Sequence, residues 1–218
     1  MIKSFEEFLN ENYSTEEKSN KDIEIFLSGE AGMTGKKDFK HSNVISNYHK
    51  HNKQYINVYV DDSGNVTERS LIPIFENIVY SAQKYKYSGI NLISWASKAS
   101  DVHKIESLDE DVADEMFQIV RNDAAEVGGV TDLKSLIDGF SKTIKDEENN
   151  IHIVITDGNC DEESIKRIEY AIKDINLHAY RHFLWVIYGR GDNYHKETFN
   201  IWDESIKYGK VTMFIEDR

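Results

Sequence analysis

The stretch Asp61-Asp62-Ser63-Gly64-Asn65 follows directly on the apolar run Tyr55-Ile56-Asn57-Val58-Tyr59-Val60. A strand that ends in acid and passes at once into hydroxyl and amide oxygens on a glycine turn gathers hard oxygen donors at one edge of a sheet. A small hard cation takes that donor set. Two later segments can complete the cluster: Gly128-Gly129-Val130-Thr131-Asp132 and Ile153-Val154-Ile155-Thr156-Asp157-Gly158. Ligands of open α/β sheets collect at the carboxyl ends of the strands. If the strands ending at Asp61 and Asp157 are neighbours, Asp61, Ser63, Asn65, Thr131 and Asp157 meet at one rim. Two carboxylates with neutral oxygens suit Mg2+, with Mn2+ or Ca2+ as alternatives, better than Zn2+, which prefers His or Cys. Mg2+ usually keeps several waters, which leaves a position for an oxygen from outside.

A plainer reading stands beside this one. Acids commonly cap the turns and helices that follow strands, and Thr131 suits the N-cap of a helix opening at Asp132. Asp132 itself then suits first-turn helix electrostatics. The eight His residues do not fall at ligand spacing with carboxylates, and His49 and His51 lie in a polar stretch. Trp95, Trp185 and Trp202 read as core. Cys160 follows the Thr-Asp-Gly turn, but a lone thiol without a neighbouring His is a poor nucleophile.

The elements that must position these residues are visible as periodicity. Tyr55–Val60, Ile90–Trp95, Ile151–Ile155, Phe183–Tyr188 and Val211–Ile215 read as strands. Val102–Ile105 pairs with the second as a hairpin across Lys98-Ala99-Ser100-Asp101. Helical stripes run through Leu71, Phe75, Ile78, Ala82 and Tyr85, and through Val112, Met116 and Ile119. Others run through Leu133, Leu136, Ile137, Phe140 and Ile144, through Ile165, Ile168, Ile172 and Ile175 with Asp161 as N-cap, and through Phe199–Ile206. The alternation predicts an α/β fold, Rossmann-like and doubly wound, with a mostly parallel sheet flanked by helices on both faces. Ile23–Leu27 reads as a further short strand, and Ser28–Lys53 as an irregular excursion.

Composition narrows the function classes. The chain has 218 residues, enough for one α/β domain, and a formal net charge of −13 with its basic residues dispersed. That argues against a nucleic-acid groove and for a cation or a basic protein surface as partner. One Cys fits a reducing compartment. No apolar run approaches the ~18 residues of a membrane span, so no membrane role is expected.

Asp61-x-Ser63-x-Asn65, Thr131 within Gly-Gly-Val-Thr-Asp, and Asp157 within Ile-Thr-Asp-Gly resemble, in order and in strand context, the metal-ion-dependent adhesion site of the von Willebrand factor A (VWA) family. The family pattern is D-x-S-x-S, a Thr on a Gly-rich loop, and a strand-end T-D-G. The resemblance covers roughly residues 54–218 and implies a metal held by Asp61, Ser63, Asn65, Thr131 and Asp157. Asn65 stands where the family has its second Ser, so the strength of binding is open. The likeness extends to intracellular VWA-like domains of metallopeptidase-related proteins, but the chain lacks His-Glu-x-x-His and no peptidase activity is implied.

Residues 1–11 form an amphipathic unit, with Ile2, Phe5, Phe8 and Leu9 at helical spacing, and residues 12–21 read as a flexible polar linker before a domain spanning 22–218. The first eleven residues resemble the leader of internal head proteins of T4-like bacteriophages, whose prohead protease cuts after Leu/Ile-x-Glu. Here that is Leu9-Asn10-Glu11, which implies cleavage after Glu11 and residence in the host cytoplasm and the virion head interior. A terminal helix docking on its own domain is the competing reading.

Three functions remain open from sequence. The first is a non-enzymatic module that binds another protein through a carboxylate on the rim metal. The second is a Mg2+-dependent phosphatase or phosphotransferase of the haloacid-dehalogenase type, although Ser63 stands where those enzymes carry their second acid. The third is a metal-free structural protein.

Overall fold

The computed structural model describes residues 15–28, 55–63, 68–143, 151–176, 182–189, 193–207 and 209–215. Helix α1 (Thr15–Ser28) precedes strand β1 (Tyr55–Asp61), followed by α2 (Glu68–Lys84), β2 (Gly89–Trp95), β3 (His103–Ile105), α3 (Val112–Val127) and α4 (Leu133–Thr143). Then come β4 (Ile151–Thr156), α5 (Glu162–Asn176), β5 (His182–Gly189), α6 (Asn193–Ser205) and β6 (Lys210–Ile215). The six strands lie in the order β3-β2-β1-β4-β5-β6. Only β3, the hairpin partner of β2, runs antiparallel. The α/β expectation therefore holds, as does the hairpin.

Two cores sandwich the sheet, and strand alternation assigns residues to each. Ile56, Val58, Val60, Ile153, Ile155 and Val186 face α1, α2 and α3. Tyr59, Ile93, Trp95, Val154, Trp185 and Ile187 face α4, α5 and α6. All three Trp side chains are fully buried, as their sequence context predicts. Helix α2 buries Leu71, Ile74, Phe75, Ile78 and Ala82, a stripe at i, i+3, i+4 spacing. Asp161 caps α5 as expected, accepting from Ser164 N at 2.9 Å.

Polar side chains stitch the central strands at the end away from the acids. Asn91 Nδ2 donates to Asn57 Oδ1 at 2.9 Å, and Asn57 Nδ2 donates to the Ile151 carbonyl at 3.1 Å. The Tyr59 hydroxyl lies 2.9 Å from His152 Nδ1 and 2.6 Å from Thr143 Oγ1. The first network ties β1 to both β2 and β4, and the second ties it to β4 and α4.

Two expectations fail near the N-terminus. Neither a linker over 15–21 nor a strand at Ile23–Leu27 is present, because Thr15–Ser28 is one helix. Ile23, Phe26 and Leu27 are buried at i, i+3, i+4, which is helical spacing and not alternation. The polar residues before Ile23 belong to the same helix. Asp22 accepts from Thr212 at 2.8 Å and pairs with Lys210, both on β6. The Tyr87 hydroxyl donates to the Leu27 carbonyl at 3.0 Å. Helix α6 also starts earlier than the Phe199–Ile206 stripe suggests. The leader-like residues 1–11 and the excursion over 29–53 lie outside the described residues.

Because Leu27 is wholly buried, Leu27→Ala should cost about 2–5 kcal/mol in urea unfolding. A loss below about 1 kcal/mol would mean that α1 rests on the domain without sharing its core.

Candidate functional site

The register explains how two acids from distant segments become neighbours. Strands β1 and β4 pair in parallel with Val60 beside Ile155, so the next residues, Asp61 and Thr156, stand side by side at their carboxyl ends. Here the strand order reverses direction, since β2 and β3 lie on one side of β1 and β4, β5 and β6 on the other. This topological switch point is where open α/β sheets form a ligand crevice.

Asp61 has no exposed surface. Its Oδ2 accepts a 2.7 Å hydrogen bond from Thr156 Oγ1, and its Oδ1 accepts from Ser63 N at 3.1 Å. Thr156 Oγ1 in turn accepts from Gly158 N at 3.0 Å, which orients the hydroxyl toward the acid. Burial pushes Asp61 up to about 7, and the charge of Asp157 adds to the rise against the lowering bonds from Thr156 and Ser63. Asp157 is 7% exposed and accepts from Asn159 N at 2.9 Å. The turn-capping role of these acids is thus real in both cases. It does not account for the burial of a second carboxylate beside the first.

The turn after Asp157 is locked by its glycine. Gly158 has φ +75°, and a Cβ there would come within 2.7 Å of Thr198 Cγ2. Trp202 Nε1 on α6 donates to the Gly158 carbonyl at 3.1 Å. Cys160, next along, is half-buried. Its thiol is pushed up to about 12, first by burial and then by Asp161, Asp61 and Asp157, which removes it as a nucleophile at neutral pH.

Thr131 lies on a loop docked over the carboxyl end of β2. Asp132 N donates to the Ala96 carbonyl at 3.0 Å, and Ser97 Oγ donates to the Val130 carbonyl at 3.3 Å. The cap of α4 is Asp132 and not Thr131, since Asp132 Oδ1 accepts from Lys134 N at 2.9 Å. Both types are favoured at N-caps, Asp more strongly than Thr, and the observed cap follows that preference. Ser63 stands half-buried directly after the two acids, while Asn65 lies outside the described residues.

Two further members of the rim escape a sequence reading. Thr156 is the partner of Asp61, and only the strand pairing reveals it. Asp62, 9% exposed, points to the opposite face, where burial and then the charge of Asp123 push it up to about 6. Asp123 is itself paired with His103 at 3.0 Å. Among the described residues no three His, Cys, Asp or Glu side chains cluster closely enough to hold a metal. A cation at this rim would therefore draw on two carboxylates supplemented by hydroxyl and amide oxygens, a hard donor set suited to Mg2+.

The raised acids have a consequence for stability. Between the ordinary carboxylate range and about 7, the folded protein holds more protons than the unfolded chain, so its stability falls as pH rises through that window. Asp62 contributes with the same sign up to about 6. In chelator, urea titrations from pH 4 to 8 should show this decline, and Asp61→Asn should flatten it and gain about 2–4 kcal/mol at pH 8. An unchanged slope in that variant would contradict the assignment.

No protein-family model matches the chain, and no curated protein is a significant match. Solved structures share its fold. The conserved hypothetical protein BatB from Bacteroides thetaiotaomicron aligns over 75% of this chain and 91% of its own, with a TM-score of 0.51 and 12% identity. The SpRpn10 VWA domain aligns over 76% of this chain and 90% of its own, with a TM-score of 0.45 and 13% identity. Identities this low speak to the fold alone. The chain carries a Rossmann-type α/β fold, a six-stranded and mostly parallel sheet flanked by helices, as BatB does.

Proposed function

We propose that the chain is a non-enzymatic protein-binding module whose rim holds a divalent cation through Asp61, Ser63, Asn65, Thr131 and Asp157. The ion, Mg2+ with Mn2+ or Ca2+ as alternatives, keeps a position open for a carboxylate of a partner protein. The observation that carries this reading is the fully buried Asp61 beside the nearly buried Asp157 at the switch point. Two like charges out of water at one edge cost stability, and a divalent cation would offset both the burial and the repulsion.

The VWA-like fold supports the same reading, since such domains are often protein-interaction modules. Both oxygens of Asp61 are engaged and none of its surface is exposed, which suits holding an ion from behind through a retained water. It suits a nucleophile attacking a phosphoryl group poorly, which weighs against the phosphatase reading.

The leader-like residues Met1 to Glu11 extend the proposal to assembly of a T4-like phage particle. Cleavage after Glu11 would leave α1, which begins at Thr15, whole. Protein recovered from mature particles should then begin at Asn12 on N-terminal sequencing, and an intact Met1 there would remove the leader from the proposal.

For the rim, Mn2+ added to metal-free protein should raise Tm and give a saturable calorimetric signal. Asp157→Ala should abolish both while keeping the wild-type circular dichroism spectrum. Mn2+ binding unaltered in that variant would refute the assignment.

A further inference from the structure

Among the described residues, the buried polar atoms near the rim that lack hydrogen-bond partners include the Tyr188 hydroxyl and Asp62 Oδ2. A buried polar group left unpaired is costly, so each calls for an explanation. Sheet register brings the two into relation. Val60, Ile155 and Val186 are aligned across β1, β4 and β5. Two residues further along each chain stand Asp62, Asp157 and Tyr188, on one level at the carboxyl edge. Val60, Val186 and Tyr188 belong to the core facing α1, α2 and α3. Alternation carries Asp62 to that same side, where α3 presents Asp123.

Tyr188 is 3% exposed, and its hydroxyl lies within the electrostatic reach of Asp61, Asp157 and Asp62. Among the described residues the hydroxyl is thus a donor without an acceptor, set among carboxylates. Strand β4 lies between the strands that carry them, so a turn of the strand end after Asp61 is needed to bring the acceptor to the donor. An ion held at the rim would supply the differential pull for that turn, because it draws the acids toward itself and relieves their mutual repulsion.

Building on the cation reading above, we propose that Tyr188 is a positioning residue for the rim. When the ion is held, its hydroxyl donates to Asp62 Oδ2, directly or through one water, and this bond fixes the strand end that carries Asp61 and Ser63. Asp62 and Tyr188 thereby form an inner support on the face of the sheet opposite Asp61.

The test is a double-mutant cycle on Mn2+ binding by calorimetry, with metal-free Tm measured in parallel. Tyr188→Phe removes one buried oxygen that has no partner without metal, so the metal-free Tm should stay level or rise. Mn2+ affinity should nevertheless fall roughly five- to tenfold. Asp62→Asn should also weaken binding, and the double variant should be no weaker than the worse single variant. Tyr188→Phe binding within about twofold of wild type would overturn the proposal. So would additive losses in the cycle, or a metal-free Tm lowered by Tyr188→Phe, which would reveal a partner already in place. Failure of the wild-type protein itself to bind Mn2+ would instead strike the cation reading, and the inner support with it.

Discussion

A carboxylate with no exposed surface, gripped by a threonine hydroxyl from the neighbouring strand, is the constraint around which the rim is built. Asp61 and Thr156 are 95 residues apart in sequence, and only parallel pairing of β1 with β4 joins them. The bond to Thr156, the amide of Ser63 and the relay from Gly158 N supply three ordered donors to one small region. They moderate the burial of Asp61 without cancelling it, as its elevated proton affinity records. Moving β4 away from β1 would leave Asp61 without its strongest partner and Asp157 without its neighbour.

The sheet is graded from one end to the other. At its amino-terminal end buried polar groups bond to one another, with Asn57 linking Asn91 to the Ile151 carbonyl and Tyr59 lying between His152 and Thr143. At its carboxyl end stand three buried acids, where Asp157 raises Asp61 and Asp62 Oδ2 lacks a partner among the described residues. Satisfied buried networks fix strand order and rigidify. The opposite end carries the unrelieved interactions, and such departures from local consistency are where function concentrates.

Much of this was legible in the residues. The strands and their order of appearance follow from apolar runs and turn residues, and the Asp161 cap from the acid placed one residue before the first turn of α5. The acids Asp61 and Asp157 could be read as strand ends, and the sheet does set those ends together. What could not be read depends on pairing or on packing at a distance. Thr156 looks like any strand threonine until β4 lies beside β1. Tyr188 looks like core, and its parity with Asp62 emerges only from register. Helix α1 was missed because polar residues dominate its first half, and the three apolar residues that bury it fall late, at Ile23, Phe26 and Leu27.

The contact between α1 and β6 has a consequence for how the chain matures during synthesis. Asp22 is bound by Lys210 and Thr212, some 190 positions downstream. The apolar stripe of α1 must therefore wait on the ribosome, covered incompletely by α2, until β6 has been translated and added to the sheet. Long-range closure of this kind is slow and leaves sticky surface exposed in the interval.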